Sequence, residues 1–386
     1  MSGVEPAGAA PLIAARIPAD SGLPDSRDAS DGLLRLRCRA RALAGMQKEA
    51  IVDAGGSHAW RLLCDEGPWL NGTDLAPFPL AWFTAGLAGC WLAAIAAEAR
   101  ERDVALRSLA LDIDNRFSME GSVLSGTLKA AADGVELQLA ADADGSREEL
   151  ADIIEVALAD RSCAALALRE LLPSRFAVQL NGRHLDWPGE IAHTASPVDD
   201  PQAAFSELPA GRPVSPAVVV KQADIEAGSD DGGAVGLAAE QKRQVRVATT
   251  ARLCDDGLAE VSVRCLRPAG SQFGFLLDLQ SDDPIGTRGP APLVCLSAGL
   301  AFCFLTQLGR YAEVHKLPLA AYRVVQFTTF REGAPYDPAV LPVDSFVFLD
   351  SEAGPEHILD LVRVGERSCY LHATLRERQP VMLRLT

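Results

Sequence analysis

Four cysteines occupy matching places in two parts of this 386-residue chain, and they are the side chains best suited to chemistry. Cys90 and Cys303 each lie midway in an apolar stretch that begins at a proline. Cys163 follows Cys90, and Cys369 follows Cys303, at similar separations along the chain. A thiolate can attack the O–O bond of a peroxide and become a sulfenic acid, which a second thiol converts to a disulfide. One pair of cysteines in each part therefore points to thiol chemistry.

These cysteines belong to a longer internal repeat. A constant offset of 290 − 77 = 213 places Pro77-Phe78-Pro79-Leu80 on Pro290-Ala291-Pro292-Leu293, Ala85-Gly86-Leu87-Ala88 on Ala298-Gly299-Leu300-Ala301, and Cys90 on Cys303. Further along, Arg161-Ser162-Cys163 recurs as Arg367-Ser368-Cys369, where the offset is 369 − 163 = 206. A lone cysteine is more often a packing residue, and we interpret Cys38, Cys64, Cys254 and Cys265 in that way. Cysteines kept in register between diverged halves favour a functional role.

Each half resembles a domain of the OsmC/Ohr superfamily, the osmotically induced and organic-hydroperoxide-resistance proteins. The residues that carry the resemblance are Asp65-Glu66-Gly67-Pro68, Gly72-Thr73-Asp74 and the segment from Pro77 to Cys90 in the first half, and Asp282-Asp283-Pro284 and the segment from Pro292 to Cys303-Phe304 in the second. Cys163 and Cys369 fall where the family keeps its second cysteine. The resemblance covers residues 33–185 and 243–386.

The resemblance implies both a fold and an activity. Members form intertwined homodimers around two long central helices, so a tandem copy implies an α+β chain that folds as its own pseudo-dimer. Members reduce organic hydroperoxides with the helix cysteine, which makes Cys90 and Cys303 peroxidatic and Cys163 and Cys369 resolving. An external dithiol such as dihydrolipoamide, or small thiols, would return the electrons, and neither a bound cofactor nor a metal is implied.

The residues that would activate the thiol depart from the family pattern. An unperturbed cysteine is only a few per cent ionised at neutral pH, and apolar neighbours disfavour the thiolate further. In the family an arginine held by a glutamate near the start of the cysteine helix supplies the positive charge. Leu80 and Leu293 stand where that glutamate would be. We expect Arg61, on the strand before the first helix, to provide charge there, and Arg246 or Arg252 in the second half.

Two other functions remain open at this stage. Cys369 and His372 would share one face of a helix at i, i+3, so a Cys–His pair could support a non-redox hydrolase or lyase acting on an electrophilic substrate. A zinc site from Cys295, Cys303, Cys369 and His372 is disfavoured because no CxxC knuckle is present. A third hypothesis is a non-catalytic protein that binds an apolar ligand.

The remaining pattern predicts the elements that position these cysteines. We expect a disordered arm over residues 1–32, OsmC-like domains over 33–185 and 243–386, and a linker over 186–242. Within the first domain the sequence predicts a helix over Ser146–Ala167, with Ser146 as its N-cap. The uncharged run from Leu80 to Ala97 is interpreted as a buried core helix rather than a membrane span, because acidic residues flank it.

The amino-acid composition argues against some classes of binding partner. There are 36 basic and 52 acidic residues, so the formal net charge is −16, which argues against nucleic acid and against an anionic membrane surface. Nine cysteines in a long chain, with no basic start followed by an apolar run, predict free thiols in a reducing cytoplasm and no signal peptide. The expected partners are a small apolar or electrophilic substrate and a thiol reductant. Further association of the monomeric pseudo-dimer is left open.

Overall fold

Two β-sheets enclose two long helices in this protein. The structure is a computed structural model that describes residues 12–19, 32–194, 198–206, 208, 214–225, 241–331 and 339–386. Helices and sheets are both extensive, and the predicted α+β class is confirmed.

The described helices and strands form one set before residue 190 and a second set after it. Those before it are β1 (Ala14–Pro18), β2 (Leu33–Ala42), β3 (Lys48–Asp53), β4 (His58–Cys64), α1 (Pro79–Glu101), β5 (Leu106–Gly121), β6 (Lys129–Ala143), α2 (Arg147–Val156), α3 (Cys163–Arg169), β7 (Ser174–Leu180) and β8 (Arg183–Leu185). Those after it are α4 (Gln202–Ser206), β9 (Val219–Ala223), β10 (Gln241–Leu253), β11 (Leu258–Arg267), β12 (Gln272–Asp278), α5 (Pro292–His315), β13 (Leu319–Arg331), β14 (Ala339–Val340), β15 (Val343–Ser351), α6 (Pro355–Arg367), α7 (Tyr370–Arg376) and β16 (Val381–Leu385).

Both sheets combine strands from the two parts of the chain. The first has the order β1-β4-β3-β2-β13-β15-β7-β8, with β14 against β13, and the second has the order β16-β6-β5-β10-β11-β12-β9. The joins are antiparallel where β2 meets β13 and where β5 meets β10, and parallel where β15 meets β7 and β6 meets β16. Neither sheet is therefore completed by one part of the chain alone.

The helices α1 and α5 lie between the sheets and pack on each other. α1 contacts β5, β10 and β11, whereas α5 contacts β2, β3 and β13. Each begins at a proline, whose fixed φ and missing N–H suit the first helical turn. They approach closely at two glycines: a Cβ on Gly86 would lie 2.6 Å from the Pro292 oxygen, and one on Gly299 would lie 2.7 Å from the Phe83 nitrogen. Only glycine permits this crossing without a shift of backbone.

By length and composition alone, α1 and α5 could each cross a membrane. In the most apolar windows of these helices, however, 83% and 94% of residues are buried inside the protein. A helix that is apolar on all sides is also what a two-sheet core requires, so burial favours the core-helix interpretation.

The helix predicted over residues 146–167 is interrupted. α2 begins after Ser146, whose Oγ accepts the Glu149 backbone N–H at 3.1 Å, which confirms that N-cap. A π-helical turn over Ala157–Arg161 and a second N-cap at Ser162 then separate α2 from α3. A serine side chain that caps a new helix competes with continuation of the old one, and the sequence prediction missed this second cap.

Two segments predicted to lack structure contain strands. Within the arm, β1 pairs antiparallel with β4, because Ile13, Ala15 and Ile17 bury alternate side chains. Within the 186–242 linker, β9 pairs with β12, and α4 buries Phe205. The prediction of a disordered arm is thus wrong for residues 14–18. The run of buried residues there is too short to be recognised within an Ala- and Pro-rich segment. The rest of these two predictions falls mainly outside the described residues, at 1–11, 20–31, 195–197, 207, 209–213 and 226–240.

Candidate functional site

Cys303 and Cys369 are brought together in the core. Cys303 lies midway along α5, and Cys369 is the N-cap of α7. Their thiols are close enough to interact, and both residues are almost fully buried. Burial raises the pKa of the Cys369 thiol well above its ordinary value, and the contact with Cys303 raises it further. Cys369 therefore stays protonated and can donate its hydrogen to the sulfur of Cys303.

A buried carboxylate lies in the same region and comes from the other part of the chain. Glu66 follows β4, and its Oε1 accepts the Thr306 hydroxyl from α5 at 2.6 Å. Lys48 Nζ lies 3.8 Å from that oxygen and donates to the Met46 carbonyl at 2.6 Å. Burial raises the pKa of Glu66, against the lowering effects of Lys48 and the Thr306 hydrogen bond. Glu66 and Lys48 therefore lie together in a region that water does not reach.

Arg310 extends this polar region along α5. It lies at i+7 from Cys303, so both side chains project from the same side of the helix. Its Nη1 donates to Gln307 Oε1 at 3.0 Å, and the residue is 7% exposed. Burial lowers the pKa of Arg310, whereas charge on Tyr370, Glu66 and Cys303 raises it. A guanidinium keeps its charge in proteins, so Arg310 places a buried cation near Cys303.

The polar residues beside Cys303 escaped the sequence analysis. Thr306, Gln307 and Arg310 lie at i+3, i+4 and i+7 from Cys303, a helical spacing that groups them on one face. Such a polar stripe in an otherwise apolar helix is the sequence feature that could have predicted these site residues. Lys48 gave no such signal, and Glu66 was named only within the segment that carries the family resemblance. Exchange of strands between the parts of the chain brings both residues to α5.

The first cysteine pair has different surroundings. Cys90 is partly buried on α1, and Cys163 opens α3 after the Ser162 cap. The Cys163 thiol donates to the backbone oxygen of Arg331 at 3.3 Å. All nine cysteines are described, and none forms a disulfide.

His372 is buried between aromatic rings. Its imidazole stacks on Phe176 with ring centroids 5.9 Å apart and meets Phe304 at 5.3 Å. Neither ring nitrogen has a hydrogen-bond partner among the described residues. Burial lowers the pKa of His372 to about 3, and the charge of Arg376 contributes. His372 is therefore neutral at ordinary pH, with no described group to orient it as a catalytic base.

The arginines predicted to serve the thiols form ion pairs on the sheets. Arg61 on β4 donates to Glu49 Oε2 through Nε at 2.9 Å and Nη2 at 2.6 Å. Arg246 on β10 pairs with Asp114, and Arg252 pairs with Glu260. Both β10 arginines are at least half exposed. The structure therefore gives these three guanidinium groups carboxylate partners and instead places Arg310 beside Cys303.

The third cysteine near this site is Cys64, at the end of β4. It interacts electrostatically with Cys303 and Lys48, and burial raises its pKa well above the ordinary value. Cys295 lies eight residues before Cys303 on α5, and burial raises its pKa as well. Both remain neutral thiols. Among the described residues no group of three or more His, Cys, Asp or Glu side chains is arranged to hold a metal ion.

The chain is similar to a solved structure over part of its length. No protein-family model matches the chain, and no curated protein matches it. The crystal structure of an OsmC-like hydroperoxide resistance protein from Jannaschia sp. CCS1 is 21% identical in sequence and covers 34% of this chain and 86% of that one, with a TM-score of 0.22. A similarity at this TM-score establishes neither a family nor an activity for this chain.

Proposed function

We propose that this protein is a thiol peroxidase in which Cys303 reacts with an organic hydroperoxide and Cys369 resolves the product. The observation that carries the proposal is the buried pair of interacting thiols, with the buried cation of Arg310 on the same side of α5 as Cys303. A nucleophilic sulfur, a nearby second thiol and a positive charge are the three parts that peroxide reduction by thiols requires.

The reaction balances with these two cysteines and an external dithiol. Cys303 ionises, and its sulfur attacks the hydroperoxide; the O–O bond breaks, the alkoxide takes up the proton and leaves as an alcohol, and Cys303 becomes a sulfenic acid. The Cys369 sulfur then attacks the sulfenic sulfur, an S–S bond forms, and water leaves. A dithiol of the dihydrolipoamide type, or small thiols, reduces this disulfide and is itself oxidised.

The charged residues near Cys303 have different effects on ionisation of its sulfur. Arg310 offers positive charge to the anionic sulfur and to the oxygen that leaves. Glu66 is held by Thr306 and Lys48, so its negative charge is partly neutralised before it can oppose ionisation of Cys303. Because these groups are buried, their mutual interactions are stronger than in water.

We also infer that the chain is a tandem duplication that folds as an OsmC-like pseudo-dimer, with the domains at 33–185 and 243–386. The order of elements from β2 to β7 resembles that from β10 to β16, and each set contributes to both sheets. Asp65 and Asp278 are related by the same offset as the central helices, and each is buried and accepts backbone N–H groups from the loop before its central helix. Localisation in a reducing cytoplasm belongs to this proposal, since both thiols must be regenerated.

The non-redox hypothesis receives less support. It needs His372 to act as a base for Cys369, yet the imidazole lies against phenyl rings without a hydrogen-bond partner among the described residues. A base for nucleophilic catalysis requires a partner that fixes its tautomer. The apolar environment of His372 favours a packing role.

Steady-state turnover of cumene hydroperoxide with dihydrolipoamide tests the proposed function. Cys303→Ser is expected to abolish turnover, whereas the matched Cys90→Ser is expected to keep a rate close to wild type. Equal loss in the two variants would show that both sites are needed, and wild-type turnover by Cys303→Ser would refute the proposal. Circular dichroism spectra establish that both variants are folded.

A further inference from the structure

Two side chains in this region, Arg243 and Tyr370, carry buried hydrogen-bond donors without acceptors among the described residues, and Arg310 lies with them. Arg243 Nη1 and the Tyr370 hydroxyl are buried and have no partner among the described residues. Arg310 has a hydrogen bond from Nη1 to Gln307, which uses only part of a guanidinium with five N–H groups. Since nearly all buried polar groups in native proteins are hydrogen-bonded, such exceptions indicate a missing partner.

These donors lie over one patch of the second sheet. Met119 on β5 is directly opposite Arg243 on β10, so the two side chains share a face. Arg310 Nη1 lies 3.9 Å from Met119 Sδ. The ring of Tyr370 lies 5.6 Å from that of Phe117, which is two residues before Met119 and therefore on the same face of the strand. The donors thus come from three elements and meet beside the reactive thiols.

The charges in this patch are unbalanced. Arg243 and Arg310 are close enough for the charge of Arg243 to lower the pKa of Arg310, after the larger effect of burial. Burial also raises the pKa of Tyr370 to about 12, so its phenol keeps the proton that it can donate. The nearby Glu66 already accepts from Thr306. Two guanidiniums and a phenol around one point suit an anion with two oxygen acceptors.

One side of this patch is partly exposed to solvent. Arg243 and Trp69 are partly exposed, and the Arg243 guanidinium lies 5.7 Å from the centre of the indole ring. Arg310 and Tyr370 lie deeper, at 7% and 5% exposure. Arg243 is therefore the member of this group that an anion in solvent can contact first.

We propose that Arg243, Arg310 and Tyr370 form a carboxylate-binding subsite, and that Cys303 acts on organic molecules that carry a carboxylate near their reactive group. This inference rests on the proposed function for its second part only. Recognition of the carboxylate by itself depends on the three donors and needs no reaction at sulfur.

Two matched hydroperoxides test substrate preference. The subsite predicts that kcat/KM for the para-carboxylate derivative of cumene hydroperoxide exceeds that for cumene hydroperoxide by about 10- to 100-fold, the effect of a charge-assisted hydrogen-bonded pair. Arg243→Gln is expected to remove this preference, and Arg243→Lys to retain part of it. Arg246→Gln, which alters an exposed arginine on the same strand, is expected to keep the preference in full. A wild-type preference near one, or a preference that survives in Arg243→Gln, overturns the subsite.

A binding measurement separates failure of the subsite from failure of the peroxidase proposal. Cys303→Ser protein is titrated by calorimetry with 4-isopropylbenzoate, with cumene as the uncharged comparison. Saturable binding of the benzoate that is lost in Cys303→Ser/Arg243→Gln supports the subsite even if neither hydroperoxide is reduced. Absence of saturable binding overturns the subsite even if cumene hydroperoxide is reduced.

Discussion

The surroundings of Cys303 and of Cys90 can be compared position by position through the internal offsets. Polar side chains near Cys303 correspond to apolar ones in the other half at every position compared. The offset of 213 relates Thr306 to Ala93, Gln307 to Ala94, Arg310 to Ala97, Lys48 to Val261, Cys64 to Leu277 and Glu66 to Leu279. The offset of 206 relates Tyr370 to Ala164 and His372 to Leu166. The structure supports this comparison, because Leu277 approaches Gly89, the neighbour of Cys90.

The difference shows how two cysteine pairs at matching places can have different side chains at the matching positions around them. Both central helices begin at a proline and cross at a glycine, so the positions of Cys90 and Cys303 in the fold are alike. Only Cys303 has a buried carboxylate, a lysine and an arginine among the residues compared. We therefore expect the two thiols to differ in reactivity more than in position.

The largest effect is expected at the resolving cysteine. Without Cys369 a sulfenic acid on Cys303 loses the neighbouring thiol that would resolve it, so Cys369→Ser is expected to lose the disulfide and accumulate sulfinic and sulfonic acid on Cys303. Peptide mass spectrometry after hydroperoxide treatment measures both products. Cys163→Ser is the matched variant in the other half, and over-oxidation of Cys303 in that variant would contradict the comparison.

The next effect concerns the cation near Cys303. Arg310→Gln keeps a hydrogen-bonding side chain but removes the buried positive charge that interacts with Cys303, and is expected to lower kcat/KM for cumene hydroperoxide by about 10- to 100-fold. Stopped-flow measurement of thiol oxidation gives this value. The control, Arg252→Gln, changes an exposed arginine paired with Glu260. An Arg310→Gln rate equal to that of the control would remove Arg310 from the mechanism.

His372 provides a pH-dependent distinction between the halves, since its counterpart is Leu166. Its pKa falls from 6.5 to about 3 on folding, so its contribution to stability is complete above pH 6.5 and is lost as the pH falls toward 3, by roughly 5 kcal/mol at most. His372→Leu is expected to flatten this part of the profile of unfolding free energy against pH. Urea unfolding between pH 4 and pH 7, at about 1-unit steps, measures it. The exposed His184→Leu control should retain the wild-type slope; an unchanged slope in His372→Leu would assign the titration elsewhere.

The smallest expected effect is a loss of stability at the two glycines where the central helices cross, a feature that both halves share. Gly86→Ala and Gly299→Ala should each destabilise the protein by about 1–3 kcal/mol, because the added methyl meets backbone atoms of the opposite helix. Thermal and urea unfolding measure this cost. Gly354→Ala, whose new Cβ would meet nothing closer than 3.9 Å, should change stability by less than about 1 kcal/mol. A neutral effect at Gly86 or Gly299 would contradict the close helix crossing.

Local pattern was sufficient for the fold class but only for part of the site. The proline-started apolar runs predicted two buried helices, and the repeated cysteines identified Cys303 and Cys369 together with Cys90 and Cys163 as candidates. The residues around them depend on long-range pairing: β2, near the start of the chain, joins β13, near its end, and that join carries Lys48 and Glu66 to α5. No period along the chain encodes that contact of Lys48 and Glu66 with α5, whereas the spacing of Arg310 from Cys303 is local and is visible in the sequence.

The most direct test of the central claim is peptide mapping under non-reducing conditions after one equivalent of cumene hydroperoxide is added to the reduced protein. The account predicts rapid formation of a Cys303–Cys369 disulfide while Cys90 and Cys163 remain alkylatable thiols. A Cys90–Cys163 disulfide formed first, or no oxidation of Cys303, would contradict it.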